Sequence, residues 1–266
     1  MKIVSAKILA HKKITPHHCM VRVESSYLAK TAKAGQFVEV RCGTGVDPLL
    51  RRPFGIHRIH KNGIEMLYEV VGKGTEILAC KEPGDMLDVI GPLGNGFNLR
   101  TTNDERRTTI LVAGGIGVAP MAALAESIGS SKNKKIFVLI GARTGSHVVC
   151  EVEFKKLGCA VSVTTDDGSK GRKGFVTDAL KDLLRTTIND ERLMIYACGP
   201  TPMLKAVALL AKEKSIPCQV SLEEHMACGV GVCLGCPVKV RKDLVDTEYK
   251  MVCKDGPVFD AEQVVW

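Results

Sequence analysis

The sequence predicts a multidomain β + α/β protein: an antiparallel β-barrel, a parallel-sheet α/β domain, and a small C-terminal module built around a metal. Three observations carry this. Short alternating strands fill the first hundred residues, strands alternate with helical patterns up to about residue 216, and the remainder turns rich in cysteine and glycine. A chain of 266 residues suits about two full domains. Its 45% hydrophobic and 25% charged residues are ordinary for a folded chain and exclude disorder and fibre.

Taken in order, Lys2–Ala10, Cys19–Glu24, Gln36–Arg41, Pro53–His60, Gly63–Val71 and Met86–Gly91 are short, alternating or β-branched, and are separated by Gly, Pro or Asn. Their spacing suits a small barrel, assigned to residues 1–101. The polar stretch Thr101–Arg107 reads as a linker. Beyond it, strands at Thr108–Ala113, Lys135–Gly141, Ala160–Thr165, Arg192–Ala197 and Cys218–Leu222 alternate with helical patterns. The helices are expected at Ala119–Ile128, Glu151–Leu157, Val176–Leu184 and Pro202–Lys214. Such alternation implies βαβ units and a parallel sheet, assigned to residues 102–216. Residues 217–266 are too few to fold without a metal or a neighbour.

Eleven cysteines is an odd number, which argues for reduced thiols in a metal or redox role rather than a secreted disulfide scaffold. Cys228, Cys233, Cys236 and Cys253 follow the spacing C-x4-C-x2-C-x16-C, the plant-type [2Fe–2S] arrangement. Four thiolates converging on two irons need a loop that wraps tightly, and Gly229, Gly231 and Gly235 give that freedom while exposing N–H donors. A structural zinc site is the plainer alternative, but zinc sites show paired C-x2–4-C knuckles and only one such pair exists here. His225 precedes the cluster and reads as a surface or hydrogen-bonding residue, since four cysteines already fill the site. Cys19, Cys42, Cys80, Cys150, Cys159 and Cys218 read as small core residues.

In the α/β half, Gly114-Gly115-Ile116-Gly117 with Pro120 leaves a strand and opens a helix, lacking the last glycine of G-x-G-x-x-G. Glycines there let backbone approach a pyrophosphate at a helix N-terminus. Cys198-Gly199-Pro200 ends another strand of the same sheet, and ligands of such sheets bind at the carboxyl ends of strands. Together these mark a nucleotide cleft bounded by Gly115, Gly117, Pro120, Cys198, Gly199 and Pro200. No base accompanies Cys198, so it is not read as a nucleophile. In the barrel, Arg52-Pro53-Phe54-Gly55 precedes Leu67-Tyr68-Glu69 and Gly74-Thr75. An Arg suits a pyrophosphate and Tyr68 suits a ring. Singly these are weak, because an Arg on a strand is usually just solvated.

In these residues the chain resembles the ferredoxin-reductase-like flavoproteins along its whole length, and most of all the electron-transfer subunits of type B dihydroorotate dehydrogenases. The tail EEHMACGVGVCLGCPVKV and VCKDGPVFDAEQVVW carries the second likeness. The resemblance implies FAD lined by Arg52, Pro53, Phe54, Gly55, Leu67, Tyr68, Glu69, Gly74 and Thr75. It also implies a [2Fe–2S] cluster on the four cysteines and NAD as the substrate. Gly55 stands where that family has Ser, so a hydroxyl contact to the flavin is missing. The implied partner is an FMN-containing catalytic subunit, in a heterotetramer with two of each chain, that oxidises dihydroorotate in pyrimidine synthesis. Electrons would run from that FMN through the cluster and FAD to NAD⁺. The alternatives are the flavin subunit of an NADH-dependent ferredoxin:NADP reductase or of a sulfide dehydrogenase, and a zinc-stabilised nucleotide-binding regulator. Trp266 is expected to pack or serve an interface rather than stack on flavin.

The formal net charge of +8 sits on residues 1–100 and 101–215, with 15 basic against 9 acidic and 17 against 12, while 216–266 has 5 against 8. No basic block is interleaved with aromatics, which argues against nucleic acid. The basic regions suit anionic nucleotides or an acidic partner. Lysines interrupt the apolar start, and glycines and Pro120 interrupt Ile110–Ala125, so neither a signal peptide nor a membrane span is expected. The expected location is cytoplasmic.

Overall fold

The computed structural model describes residues 1–99, 107–129, 134–187, 193–243 and 245–266. Residues 101–106 of the expected linker, and Arg192, lie outside the described residues. Six strands form the barrel: β1 (Lys2–Lys13), β2 (His18–Glu24), β3 (Phe37–Arg41), β4 (Arg52–His60), β5 (Gly63–Glu69) and β6 (Met86–Leu93). They close in the order β1-β2-β5-β4-β3-β6, with every pairing antiparallel. Period-two alternation turns Ala6 and Ile8, Val21 and Val23, Val38 and Val40, and Leu87 and Val89 into the interior. Two short helices interrupt the meander, α1 (Ser26–Thr31) and α2 (Lys73–Ala79). Only Leu28 of α1 is buried, and Ser25 caps it by accepting from Leu28 N. A helix of so few turns leaves no periodic stripe in the sequence.

The second half is β7 (Arg107–Gly114), α3 (Ala119–Ile128), β8 (Lys134–Ala142), α4 (Glu151–Lys156), β9 (Ala160–Thr165), β10 (Arg172–Lys173), α5 (Val176–Thr187), β11 (Met194–Cys198), α6 (Thr201–Glu213) and β12 (Cys218–Ser221). Then follow β13 (Pro237–Arg241), β14 (Thr247–Met251) and β15 (Val258–Asp260). The sheet runs β10-β9-β8-β7-β11-β12-β15 and is parallel until β15 joins β12 antiparallel. Strands buried on both faces explain the uninterrupted apolar runs, such as Ile110–Ala113. β12 continues this sheet past residue 216, and β15 returns the chain to it from the cysteine-rich segment. β13 and β14 form a separate hairpin in that segment, with Val240 bridging Val264 of the tail.

The barrel is seated on the sheet through residues 95–99. Gln219 of β12 accepts from Asn98 N at 3.0 Å and donates to Asn98 O at 3.2 Å, while Phe97 meets Tyr196 edge-on at 5.5 Å. Trp266 donates from Nε1 to Ala261 O and packs on the sheet's core, in line with its expected packing role. Among the described residues no helix is long and apolar enough to cross a membrane. Of the cysteines expected in the core, Cys19, Cys42, Cys150, Cys159 and Cys218 are buried, but Cys80 is exposed. It caps the C-terminus of the short α2, whose single buried face points the other way.

Candidate functional site

A cleft of about 660 Å³ opens between the barrel and the carboxyl ends of the sheet strands. Arg52, Pro53, Phe54, Gly55, Leu67, Tyr68, Glu69 and Thr75 line it from the barrel side. Adjacency of β4 and β5 in the barrel brings these two sequence segments together. The paired arginines have different fates. Arg51 is bound to Asp88 at 2.7 Å through its carboxylate and at 2.9 Å through its carbonyl, whereas Arg52, among the described residues, donates to the carbonyls of Leu50 and Arg51 and faces the cleft. Gly74 does not line the cleft; its missing side chain lets Arg52 lie across the start of α2, since a Cβ there would stand 3.0 Å from Arg52 Nε. The Thr75 hydroxyl accepts from Val71 N and Gly72 N and donates to Gly72 O, so it shapes its own turn. Tyr68 meets Phe54 edge-on at 5.3 Å and turns its hydroxyl to His11 Nε2 at 2.8 Å.

On the sheet side Pro120 and Cys198 line the cleft, joined by Ile116, Ala119 and Thr201. The two glycines of the first motif do different things. Gly115 has φ +55 and nothing within 4 Å of a Cβ position, so its backbone is open to a ligand. A Cβ on Gly117 would stand 2.6 Å from the carbonyl carbon of Cys198 and 2.7 Å from Gly199 Cα. Gly117 therefore lets the motif after β7 nest on the motif after β11. Gly199 (φ +151) packs on Gly114, and Pro200 precedes α6; neither Gly199 nor Pro200 lines the cleft. Burial pushes the Cys198 thiol well up, with Glu223 adding to it, which fits a packing residue rather than a nucleophile.

The segment Ser221–Met226 also lines the cleft and runs directly into the cysteine loop. His225 is exposed there. Gly229 (φ +67) and Gly231 (φ +81) take the left-handed turns expected of them, but the third such turn falls on Leu234 (φ +58) instead of Gly235. Gly235 keeps its place for another reason: a Cβ would lie 3.4 Å from Cys233 Sγ. Backbone N–H groups aim at sulfur throughout. Val230, Val232 and Cys233 donate to Cys228 Sγ at 3.4, 3.4 and 3.5 Å, Gly231 to Cys253 Sγ at 3.1 Å, and Cys253 to Cys236 Sγ at 3.4 Å. Burial raises the proton affinity of Cys228, but these donors overcome it and bring the thiol down to about 6. Burial and the neighbouring Cys236 thiol instead push Cys253 up to about 12, so metal must displace that proton.

This donor set fits an iron–sulfur cluster. N–H donors converging on thiolates are what such a cluster needs. A single tetrahedral zinc at about 2.3 Å from each sulfur would hold its ligands in one tight group. Among the described residues, three candidate ligand atoms lie within 4.8 Å of one another only at His57, Cys150 and Glu153, not among these cysteines.

Glu39 is a residue the sequence reading missed. It is fully buried on β3, with neither carboxylate oxygen partnered among the described residues, and it abuts the cysteine loop: a Cβ on Gly229 would stand 2.8 Å from its Oε1. Burial pushes its carboxyl up to about 7, with Arg51 and Arg52 pulling it down and Cys228 pushing it up. The available signal was a lone acid inside the apolar run Phe37-Val38-Glu39-Val40.

The model of the iron–sulfur cluster binding domain of dihydroorotate dehydrogenase B matches residues 223–265, and that of the oxidoreductase NAD-binding domain matches 111–209. A Desulforamulus reducens protein named as the electron transfer subunit of dihydroorotate dehydrogenase B (NAD(+)) is 40% identical over 270 residues, covering 100% of this chain and 99% of the relative. The chain belongs to this family. A Geobacillus kaustophilus member of these dihydroorotate dehydrogenase B electron transfer subunits is 45% identical over 233 residues, covering 87% of this chain and 86% of its own. A solved NADH-dependent reduced ferredoxin-NADP oxidoreductase superposes with TM-score 0.83 at 33% identity, over 99% of this chain and 90% of that one. The ferredoxin reductase of carbazole 1,9a-dioxygenase, at 20% identity and TM-score 0.66 over 81% of this chain and 67% of its own, shares the fold alone. The barrel, parallel sheet and C-terminal cysteine loop of this electron transfer subunit are those expected from its sequence.

Proposed function

We propose that this chain is the NAD⁺-reducing electron-transfer subunit of a cytoplasmic dihydroorotate dehydrogenase, paired with an FMN-containing catalytic subunit as two copies of each. The observation that carries this reading is continuity: Ser221–Met226 lines the cleft and leads straight into Cys228, so one stretch of backbone serves both redox sites. FAD in the cleft and a [2Fe–2S] centre on Cys228, Cys233, Cys236 and Cys253 would supply the exchange between single electrons and a hydride. The chain's own residues bind, orient and exclude water. Arg52 offers a guanidinium to a pyrophosphate, Phe54 and Tyr68 wall the ring, Gly55 and Pro120 face each other where the two halves of the cleft meet, and the backbone at Gly115 receives the nicotinamide nucleotide. Residues 1–101, 102–216 and 217–266 serve as the flavin, nucleotide and cluster units of this scheme. No nucleic acid or membrane enters it.

The test is co-expression with the catalytic subunit from the same genome. The complex is expected to co-purify and to reduce NAD⁺ when given dihydroorotate. A complex that reduces NAD⁺ only from reduced ferredoxin or sulfide would replace this reading with a sister flavin subunit.

A further inference from the structure

On the outer wall of the barrel, away from the cleft and the cysteine loop, a buried cluster joins the two halves of the molecule. His57 of β4 is fully buried. Its Nδ1 lies 2.8 Å from Ala119 O at the start of α3, and a carbonyl oxygen only accepts, so Nδ1 carries the hydrogen. The other nitrogen, Nε2, then points inward at Glu153 Oε2 of α4, 3.3 Å away, and at Glu65 Oε1 of β5, 4.0 Å away. Cys150, buried at the N-cap of α4 with φ +66, completes a set in which a His57 ring nitrogen, Sγ and a Glu153 carboxylate oxygen all lie within 4.8 Å of one another. We propose that His57, Cys150 and Glu153 bind one divalent, thiophilic cation, zinc above all, which fastens the barrel to the nucleotide domain.

Three physical arguments lead there. First, the donor types and their spread suit one tetrahedral ion with about 2.0–2.3 Å ligand bonds, and two such ligands of N and O type stand about 3.3 Å apart. Second, a histidine whose outer N–H is committed to a backbone carbonyl is the arrangement that fixes the tautomer of a metal ligand. In that tautomer Nε2 is a bare lone pair facing carboxylates, and lone pairs do not bind each other without a cation or a proton between them. Third, the carboxylates crowding His57 outnumber the fixed cations that reach them. Glu65, Glu126 and Glu153 meet one guanidinium, Arg58, which lies 3.4 Å from Glu126 and 3.2 Å from Glu153, with Lys156 acting on Glu153 as well. His60 approaches the far side of Glu65 at 3.7 Å. A divalent ion neutralises the excess, and Glu65 is the nearest group to fill a fourth position. The thiol of Cys150 would give up its proton as the ion enters.

The site lies behind the cleft rather than in it. Ala119, which receives the His57 bond, is followed by Pro120, whose ring would contact a Cβ on Gly55 at 3.8 Å. An ion at His57 therefore holds the helix that carries one wall of the cleft.

The test uses the full chain purified with its iron–sulfur cluster intact, so that the cluster thiolates are occupied. After treatment with a mild chelator and equilibration with zinc, zinc and iron are measured on the same sample. The expected result is about one zinc per chain at full iron content, with affinity falling in Cys150→Ser and His57→Gln by more than the roughly 10–100-fold that loss of an outer-shell partner costs, while iron and flavin are retained. Cobalt(II) in place of zinc is expected to give a thiolate-to-metal absorption band that Cys150→Ser removes. Iron-replete wild-type protein that takes up neither zinc nor cobalt overturns the proposal and leaves a protonated His57 between its carboxylates. Zinc uptake unchanged in both variants overturns it too. Should both variants lose iron and flavin through misfolding, Cys80→Ser, which removes the exposed free thiol outside the cysteine loop and leaves the site intact, decides: a cobalt–thiolate band that persists in it supports the site, and one that vanishes overturns it.

Discussion

Replacing Glu39 by glutamine keeps its shape and removes its ionisation, which makes the stability of the two proteins diverge with pH. An ordinary glutamate ionises near 4.5, whereas burial takes Glu39 up to about 7. The sign follows from that difference. Below pH 4.5 the carboxyl is protonated whether folded or unfolded, and its ionisation costs nothing. As pH rises toward 7 the unfolded chain gives up the proton first, so wild-type stability falls by about 1.4 kcal/mol per pH unit. The loss levels off above pH 7 at about 3 kcal/mol, and full burial leaves no solvent to screen it. Glu39→Gln carries only a pH-independent cost for its buried amide. Thermal unfolding followed by flavin fluorescence between pH 4.5 and 8 is the assay. The variant's melting temperature is expected to gain roughly 5–10 °C on the wild type across that window. A difference that stays constant with pH, or a wild type that gains on the variant as pH rises, would refute the reasoning.

Cys233→Ser is expected to abolish iron binding while FAD stays bound, because the exposed Cys233 belongs to the loop and not to the cleft; iron assay and the visible spectrum check this, and joint loss of both contradicts it. In Gly117→Ala the new methyl would press on the backbone of Cys198 and Gly199, costing about 1–3 kcal/mol and weakening NADH binding, as calorimetric unfolding and an NADH titration would register. Gly55→Ser has room, since the nearest atoms to its Cβ are 3.8 and 3.9 Å away on Pro120; stability is expected to move by less than about 0.5 kcal/mol while the flavin's midpoint potential and absorption shift.

The architecture was legible where the code is local. Alternation along β1–β6 gave the barrel and strand–helix alternation gave the sheet. Three of the cluster cysteines sit between Cys228 and Cys236, close enough for spacing alone to speak. Other features depend on partners far apart in the chain. Arg51 and Arg52 look alike in sequence, and only Asp88 on β6 decides which of them is free to face the cleft. Gly115 and Gly117 belong to one motif, yet one opens to a ligand and the other to Cys198. His57, Glu65 and the Cys150–Glu153 pair come from three elements, β4, β5 and α4 with its N-cap, and no spacing rule brings the three together. β15 has only three residues, too few for a pattern, although it ends the sheet.

That last strand changes how the cysteine loop comes into being. Ser221 and Val258 are paired neighbours, so the whole excursion that carries Cys228 through Cys253 leaves and rejoins the protein at one point of a finished sheet. Closing a long segment is an entropic cost, and here β-pairing meets it without help from metal. The loop is thus tied to the sheet at both ends, with Cys236, Val240, Val252 and Cys253 packed into the sheet's core, so iron–sulfur assembly is expected to act on a chain whose barrel and sheet are already folded.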